Sequence, residues 1–168
     1  IRDIPTEAAT AKYTAWDLGI SDSTSIFVCE TIGGEVRIMD FYENHGQALD
    51  HYISWIDDKG YRDYNHILPH DVMVRELQTG KSRYEFLTDA GLNIDICPKH
   101  GVEDGIVAVR KMLPTTWFNK DTTKFGLECL RNYRRVFNEK LNVYQEKALH
   151  DWSSHCADAF RYLAVGID

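Results

Sequence analysis

Residues 13–42 read YTAWDLGISDSTSIFVCETIGGEVRIMDFY. Two apolar runs, residues 13–18 and 25–30, flank a short polar segment. The pair Gly33-Gly34 is a strong turn signal, and residues 36–42 then alternate apolar and polar. Three strands joined by short turns predict an antiparallel meander. The period then changes. Leu49, Tyr52, Ile53 and Ile56 mark an amphipathic helix over residues 46–58, stopped near Gly60. Residues 65–69 read as a buried strand, 82–90 as a helix ended by Gly91, and 93–97 as a strand stopped by Pro98. Residues 103–113 predict a helix, 115–118 a short strand, 122–138 a long helix and 153–165 the last helix. A meander followed by strand–helix alternation implies an α/β domain. Its mixed sheet has about five strands or more, the first three antiparallel, with helices on both faces. Residues 1–12 read as a linker or entry arm ahead of one domain spanning 13–168.

A chain of 168 residues with 43% hydrophobic content can bury a real core as one domain. No apolar run is long enough to cross a membrane, and no secretion-signal pattern opens the chain. The four cysteines are scattered without a Cys-x-x-Cys pair, which speaks against structural zinc and for free buried thiols in a reducing cytoplasm. The start at Ile1 suggests a processed protein or a domain of something longer. The net charge of −7 argues by itself against a general nucleic-acid binder. Its distribution says more. Residues 110–147 hold nine Lys/Arg and four Asp/Glu, so a basic stretch lies in an acidic body. Arg131, Arg134 and Arg135 fall on one helical face, extended by Lys120, Lys124 and Lys140. A DNA backbone could rest there through phosphate contacts, although a solvated helix face is the plainer reading. Tyr133 and Phe137 read as packing residues.

Three carboxylates stand where chemistry is often built. Asp17 ends the first strand among Trp, Leu and Ile, where an unpaired charge is costly to bury. Asp71 follows a strand at its C-terminal end, where open α/β sheets place their sites. Asp158 lies three residues after His155, so a helix puts both on one face, with Ala157 and Ala159 allowing close packing. The plain alternatives are a turn Asp, a cap, and a surface ion pair of Asp158 with Arg161. If the three acids converge, their repulsion calls for a divalent cation, and Mg²⁺ or Mn²⁺ suits carboxylate oxygen. His155 could then orient a water or carry a proton, and Asp151 could add a further acid. His66, His70 and His100 read as turn or supporting residues, and His45 and His51 as surface.

Trp16-Asp17-Leu18-Gly19-Ile20-Ser21-Asp22, Pro69-His70-Asp71 and His155-Cys156-Ala157-Asp158-Ala159-Phe160-Arg161-Tyr162 resemble the nuclease domain of the large terminase subunit of tailed bacteriophages. Thr79-Gly80-Lys81-Ser82-Arg83 and Gly105–Arg110 are similar to it too, so the resemblance covers nearly the whole chain. It implies an RNase H-like fold and two-metal hydrolysis of concatemeric double-stranded DNA during viral genome packaging. Asp17, Asp71 and Asp158 would match the catalytic, metal-holding acids, with Asp17 bridging two ions. His155 and Asp151 would match auxiliary positions. The family's ATPase domain would be absent from this chain, and the small terminase subunit and portal would be partners of the parent protein. The implied setting is the host cytoplasm, with the isolated domain a monomer. A junction resolvase, a transposase core or a non-catalytic docking module are the alternatives. Gly80-Lys81-Ser82 evokes a phosphate-binding P-loop, but that pattern requires a glycine where Arg75 stands, so no ATP site is expected. Asp17-x-Gly19 also evokes an actin-like phosphate loop. That fold needs two such halves, which a single domain of this size does not supply.

Overall fold

The computed structural model describes residues 11–18, 23–75, 80–131 and 152–167. Its six strands are β1 (Ala11–Leu18), β2 (Ser23–Ile32), β3 (Glu35–His45), β4 (Asn65–Leu68), β5 (Asn93–Ile96) and β6 (Thr116–Phe118). The helices are α1 (Leu49–Lys59), α2 (Arg83–Asp89), α3 (Val102–Met112), α4 (residues 124–131) and α5 (Trp152–Gly166). The sheet order is β5-β4-β1-β2-β3-β6. The meander is antiparallel as expected, with Gly33 supplying a left-handed turn conformation at φ +57°. β4 and β5 add in parallel on the β1 side, and β6 adds in parallel to β3. The sheet therefore has six strands, because the short run ending at Phe118 pairs with Val36–Ile38. β1 starts at Ala11, two residues ahead of the expected boundary.

Period-two alternation sends neighbouring residues of β1 and β2 to opposite faces. Trp16, Leu18 and Ile26 join Tyr52, Ile56, Leu68, Val72 and Leu87 beneath α1 and α2. Ala15, Phe27 and Cys29 join Met112, Cys129, Cys156, Ala159, Phe160 and Leu163 beneath α3, α4 and α5. Both faces are covered, which is why the centre of the meander is buried without a polar stripe. All four cysteines are free and buried. Among the described residues no helix is long and apolar enough to cross a membrane.

One irregularity matters. The β2–β3 register shifts between Val28, opposite Asp40, and Cys29, opposite Ile38, leaving Met39 as a bulged residue. The bulge reverses the alternation of β3. Val36 and Ile38 face α5, and so does Phe41 after the bulge. Tyr42 turns to the other face and packs with α1.

His66 lies fully buried within β4, where it supports the packing of the strand. Its Nε2–H donates to the Arg62 carbonyl at 3.0 Å, and its Nδ1 accepts from the Thr14 hydroxyl at 2.6 Å. Burial pushes its pKa down, which suits this neutral role. His51 is half-buried rather than superficial, because α1 docks it on Tyr42, with 2.6 Å between its Nε2 and the Tyr42 hydroxyl.

Phe160 is fully buried against Phe27 and Phe118, with ring centroids 5.2 and 5.8 Å away. Phe160→Ala should destabilise the domain by about 3–5 kcal/mol, read from urea unfolding, with the lost ring leaving a cavity under α5.

Candidate active site

The site begins with strand parity. Ala15 faces α5, so Asp17 two residues on does too, at the C-terminal end of β1. β4 runs parallel beside β1, with Ala15 opposite Ile67, so both strands end on the same side of the sheet. β4 stops at Leu68, and Pro69 leads into a 3-10 turn, His70–Met73, that carries Asp71. Asp71 is exposed at the rim, and its charge reaches Asp17. α5 crosses the same face, seating Cys156, Ala159, Phe160 and Leu163 in the core. The 3.6-residue period leaves His155, Asp158 and Tyr162 along an adjoining stripe.

Asp17 is almost wholly buried, and the His155 Nδ1–H donates to its Oδ2 at 3.0 Å. Burial pushes the Asp17 carboxyl above its ordinary range. His155 and Arg161 pull it back, and the Asp71 charge pushes it further up. Asp158 is raised to about 6, first by burial, with the charge of Asp17 adding to the rise and Arg161 opposing it. The Arg161 Nη1 donates to the Asp158 Oδ1 at 2.9 Å. The ion pair weighed as a surface one for these two is buried on the arginine's side, whose side chain is only 11% exposed, and half-buried at Asp158. Tyr162 senses the same charges. Burial raises its phenol, and so do Asp17, Asp158 and Asp71. Asp17, Asp71, Asp158, His155, Arg161 and Tyr162 thus form one electrostatic unit.

Among the described residues no three His, Cys, Asp or Glu stand close enough to enclose a metal ion as they are. Asp17 is turned to His155 and Asp158 to Arg161, so these two acids are held by internal partners, while Asp71 stays at the exposed rim.

The structure adds residues that the sequence did not mark. Ser25 lies opposite Asp17, and Glu43 opposite Ser25, making a row across β1, β2 and β3 on the α5 face. The Ser25 hydroxyl and the Glu43 Oε2 are buried without a hydrogen-bond partner among the described residues. Burial raises the Glu43 carboxyl, while a hydrogen bond from Ser23 and the charges of His155 and His45 lower it. The Met39 bulge hides Glu43 from a simple reading, because unbroken alternation from Val36 would send it to the other face. Tyr162 could have been found from its i+4 spacing to Asp158.

Two other buried acids have local duties. Tyr61 donates to Asp40 at 2.8 Å, and Tyr64 donates to Glu30 at 3.2 Å. Ser82 caps α2 by accepting from the Glu85 N–H, and Lys81 pairs with Asp89 at 3.1 Å, so these P-loop look-alikes have structural partners. Arg83 reaches toward the site edge, 3.4 Å from the Leu18 carbonyl. Lys120, Lys124 and Arg131 are exposed, and Arg131 lies 4.0 Å from Glu128. Asp151, Lys140, Arg134, Arg135, Tyr133 and Phe137 fall outside the described residues.

This is the RNase H-like arrangement: a mixed sheet whose leading strands are antiparallel, with acids gathered where β1, β4 and α5 meet. More particularly, the chain has the fold of phage large-terminase nuclease domains. It is similar to the large terminase of a thermophilic bacteriophage in complex with ATP-gamma-S, with TM-score 0.70 and 18% identity over 99% of this chain and 42% of that one. The P22 large terminase nuclease domain matches with TM-score 0.61 and 17% identity, over 98% of this chain and 86% of that one. The SPP1 large terminase nuclease domain with bound Mn matches with TM-score 0.56 and 16% identity, over 90% and 84%. The chain therefore spans about two fifths of the length of the thermophilic phage terminase. No family model and no curated protein matches it.

The raised Asp158 carboxyl has a consequence for stability. Between the ordinary carboxylate range and about pH 6, the folded chain keeps a proton that the unfolded chain has lost. The contribution of Asp158 to stability should therefore fall as pH rises from about 4 to about 6, then level off. Asp158→Asn should flatten that slope, as measured by urea unfolding at each pH.

Proposed function

We propose that the chain is a divalent-metal-dependent DNA endonuclease of the terminase kind, hydrolysing phosphodiesters of duplex DNA. The observation that carries this reading is the reach of one acid's charge to the next. Asp71 raises Asp17, and Asp17 raises Asp158, at the joint strand ends of an RNase H-like sheet. Carboxylates that oppose one another's ionisation have a surplus of negative charge to give a cation. The donors are hard oxygens, and the nearby Cys156 thiol is buried toward α4, 3.7 Å from the Gly126 carbonyl. That set fits Mg²⁺ or Mn²⁺ better than a thiophilic ion. The Mn bound to the SPP1 domain agrees with such use.

Asp17, Asp71 and Asp158 would hold the ions, two being the number the resemblance implies. When bound, such ions would polarise the phosphate and lower the pKa of a water. His155 holds the Asp17 carboxylate by its Oδ2 and fixes its orientation over the sheet. Its imidazole also stands ready to take a proton from the attacking water. Cleavage would leave a 3′-hydroxyl and a 5′-phosphate. Lys120, Lys124 and Arg131, with Arg134 and Arg135, would meet the DNA backbone. The parent protein would join this domain to an ATPase domain, with the small terminase subunit and portal as partners, in genome packaging within the host cytoplasm. Asp151 remains an auxiliary candidate.

Asp17→Asn, Asp71→Asn and Asp158→Asn should each reduce Mn²⁺-dependent plasmid cleavage by roughly a hundredfold or more, and EDTA should abolish it in the unmodified protein. Wild-type rates in all three variants would refute the assignment. Cleavage of linear duplex as fast as four-way junctions would favour the terminase role over a resolvase.

A further inference from the structure

Arg161 is walled in. A Cβ placed on Gly105 would lie 2.1 Å from its Cδ and 2.3 Å from its Cγ, so the arginine stem rests directly on the α3 backbone. Its guanidinium carbon lies 5.4 Å from the centre of the Tyr162 ring. Between these walls its Nη1 meets the Asp158 Oδ1 at 2.9 Å, and its charge also acts on Asp17. Gly105 is the residue that makes this seat possible, since a side chain at that position would displace the arginine.

A cation fixed there affects any second cation. A divalent ion approaching Asp158 meets a positive charge that α3 and Tyr162 keep from swinging away, in a half-buried setting where screening is weak. A DNA phosphate would change the balance. It supplies negative charge beside the incoming ion, and the planar guanidinium donates well to phosphate oxygens. We propose that Arg161, seated on Gly105, is a resident counter-cation that couples divalent-metal loading at Asp158 to arrival of the DNA phosphate. This rests on the metal-nuclease reading above and gives that site a regulation. Without DNA the site stays under-loaded and its acids keep their internal partners. With a phosphate in place, metal and substrate strengthen each other's binding reciprocally.

The test is isothermal titration of Mn²⁺ at pH 8, with and without a slowly hydrolysed phosphorothioate duplex, on the wild type, R161Q, R161K and G105A. In the wild type the duplex should tighten Mn²⁺ binding by about tenfold, and R161Q should bind Mn²⁺ about tenfold more tightly without duplex. In R161Q the further gain from duplex should shrink to about twofold or less, while R161K, which keeps the charge, should resemble the wild type. G105A, which keeps the arginine but denies it the seat, should shift in the same direction as R161Q, and it stands in should R161Q prove unfolded by circular dichroism. A folded R161Q that binds Mn²⁺ no more tightly than the wild type, with the same gain from duplex, overturns the coupling and leaves the nuclease reading intact. No Mn²⁺ binding by the wild type, with or without duplex, overturns the nuclease reading and the coupling with it.

Discussion

Like charges brought together out of water must be separated, protonated or neutralised, and the architecture of this domain follows from that constraint. The ends of β1 and β4 lie side by side because the strands are parallel neighbours, and α5 crosses above them. That topology carries Asp17, Asp71 and Asp158 to one place. Burial then makes each unpaired carboxylate costly. The chain answers with His155 on Asp17 and Arg161 on Asp158, while Asp71 remains at the solvent rim. The raised Asp17 and Asp158 carboxyls are what remains of the conflict after this partial neutralisation.

The surrounding packing serves the same end. Phe27, Phe160 and Phe118 lock α5 onto the sheet, so the His155–Asp158 stripe has a fixed height above Asp17. Gly105 lets α3 come close enough to confine Arg161. On the far face the His66–Thr14–Trp16 hydrogen bonds tie β4 to β1, which sets where the two strand ends stand relative to each other. A change well away from the acids can therefore alter their spacing.

The meander is legible in the sequence because its strands alternate and Gly33-Gly34 marks the turn. The three acids are legible because each sits at an element boundary or on a helix face with a recognisable spacing. Glu43 is hidden by the Met39 bulge, a register event with no local sequence signal. Arg161 reads as half of a surface pair because its burial depends on α3, which lies more than forty residues earlier in the chain. His51 is misplaced for the same reason, since its partner Tyr42 comes from another element. Pair spacing within one helix is readable from sequence, whereas the third wall of a site comes from tertiary contact.

The central claim is that the three carboxylates form a cation-binding centre that their present partners only partly satisfy. Anomalous diffraction from crystals grown with Mn²⁺ and a short duplex tests it most directly. The account predicts manganese peaks bounded by Asp17, Asp71 and Asp158, with the Asp158 carboxylate rotated from Arg161 toward the ion. Well-ordered carboxylates with no anomalous peak among them, and Asp158 still on Arg161, would contradict it.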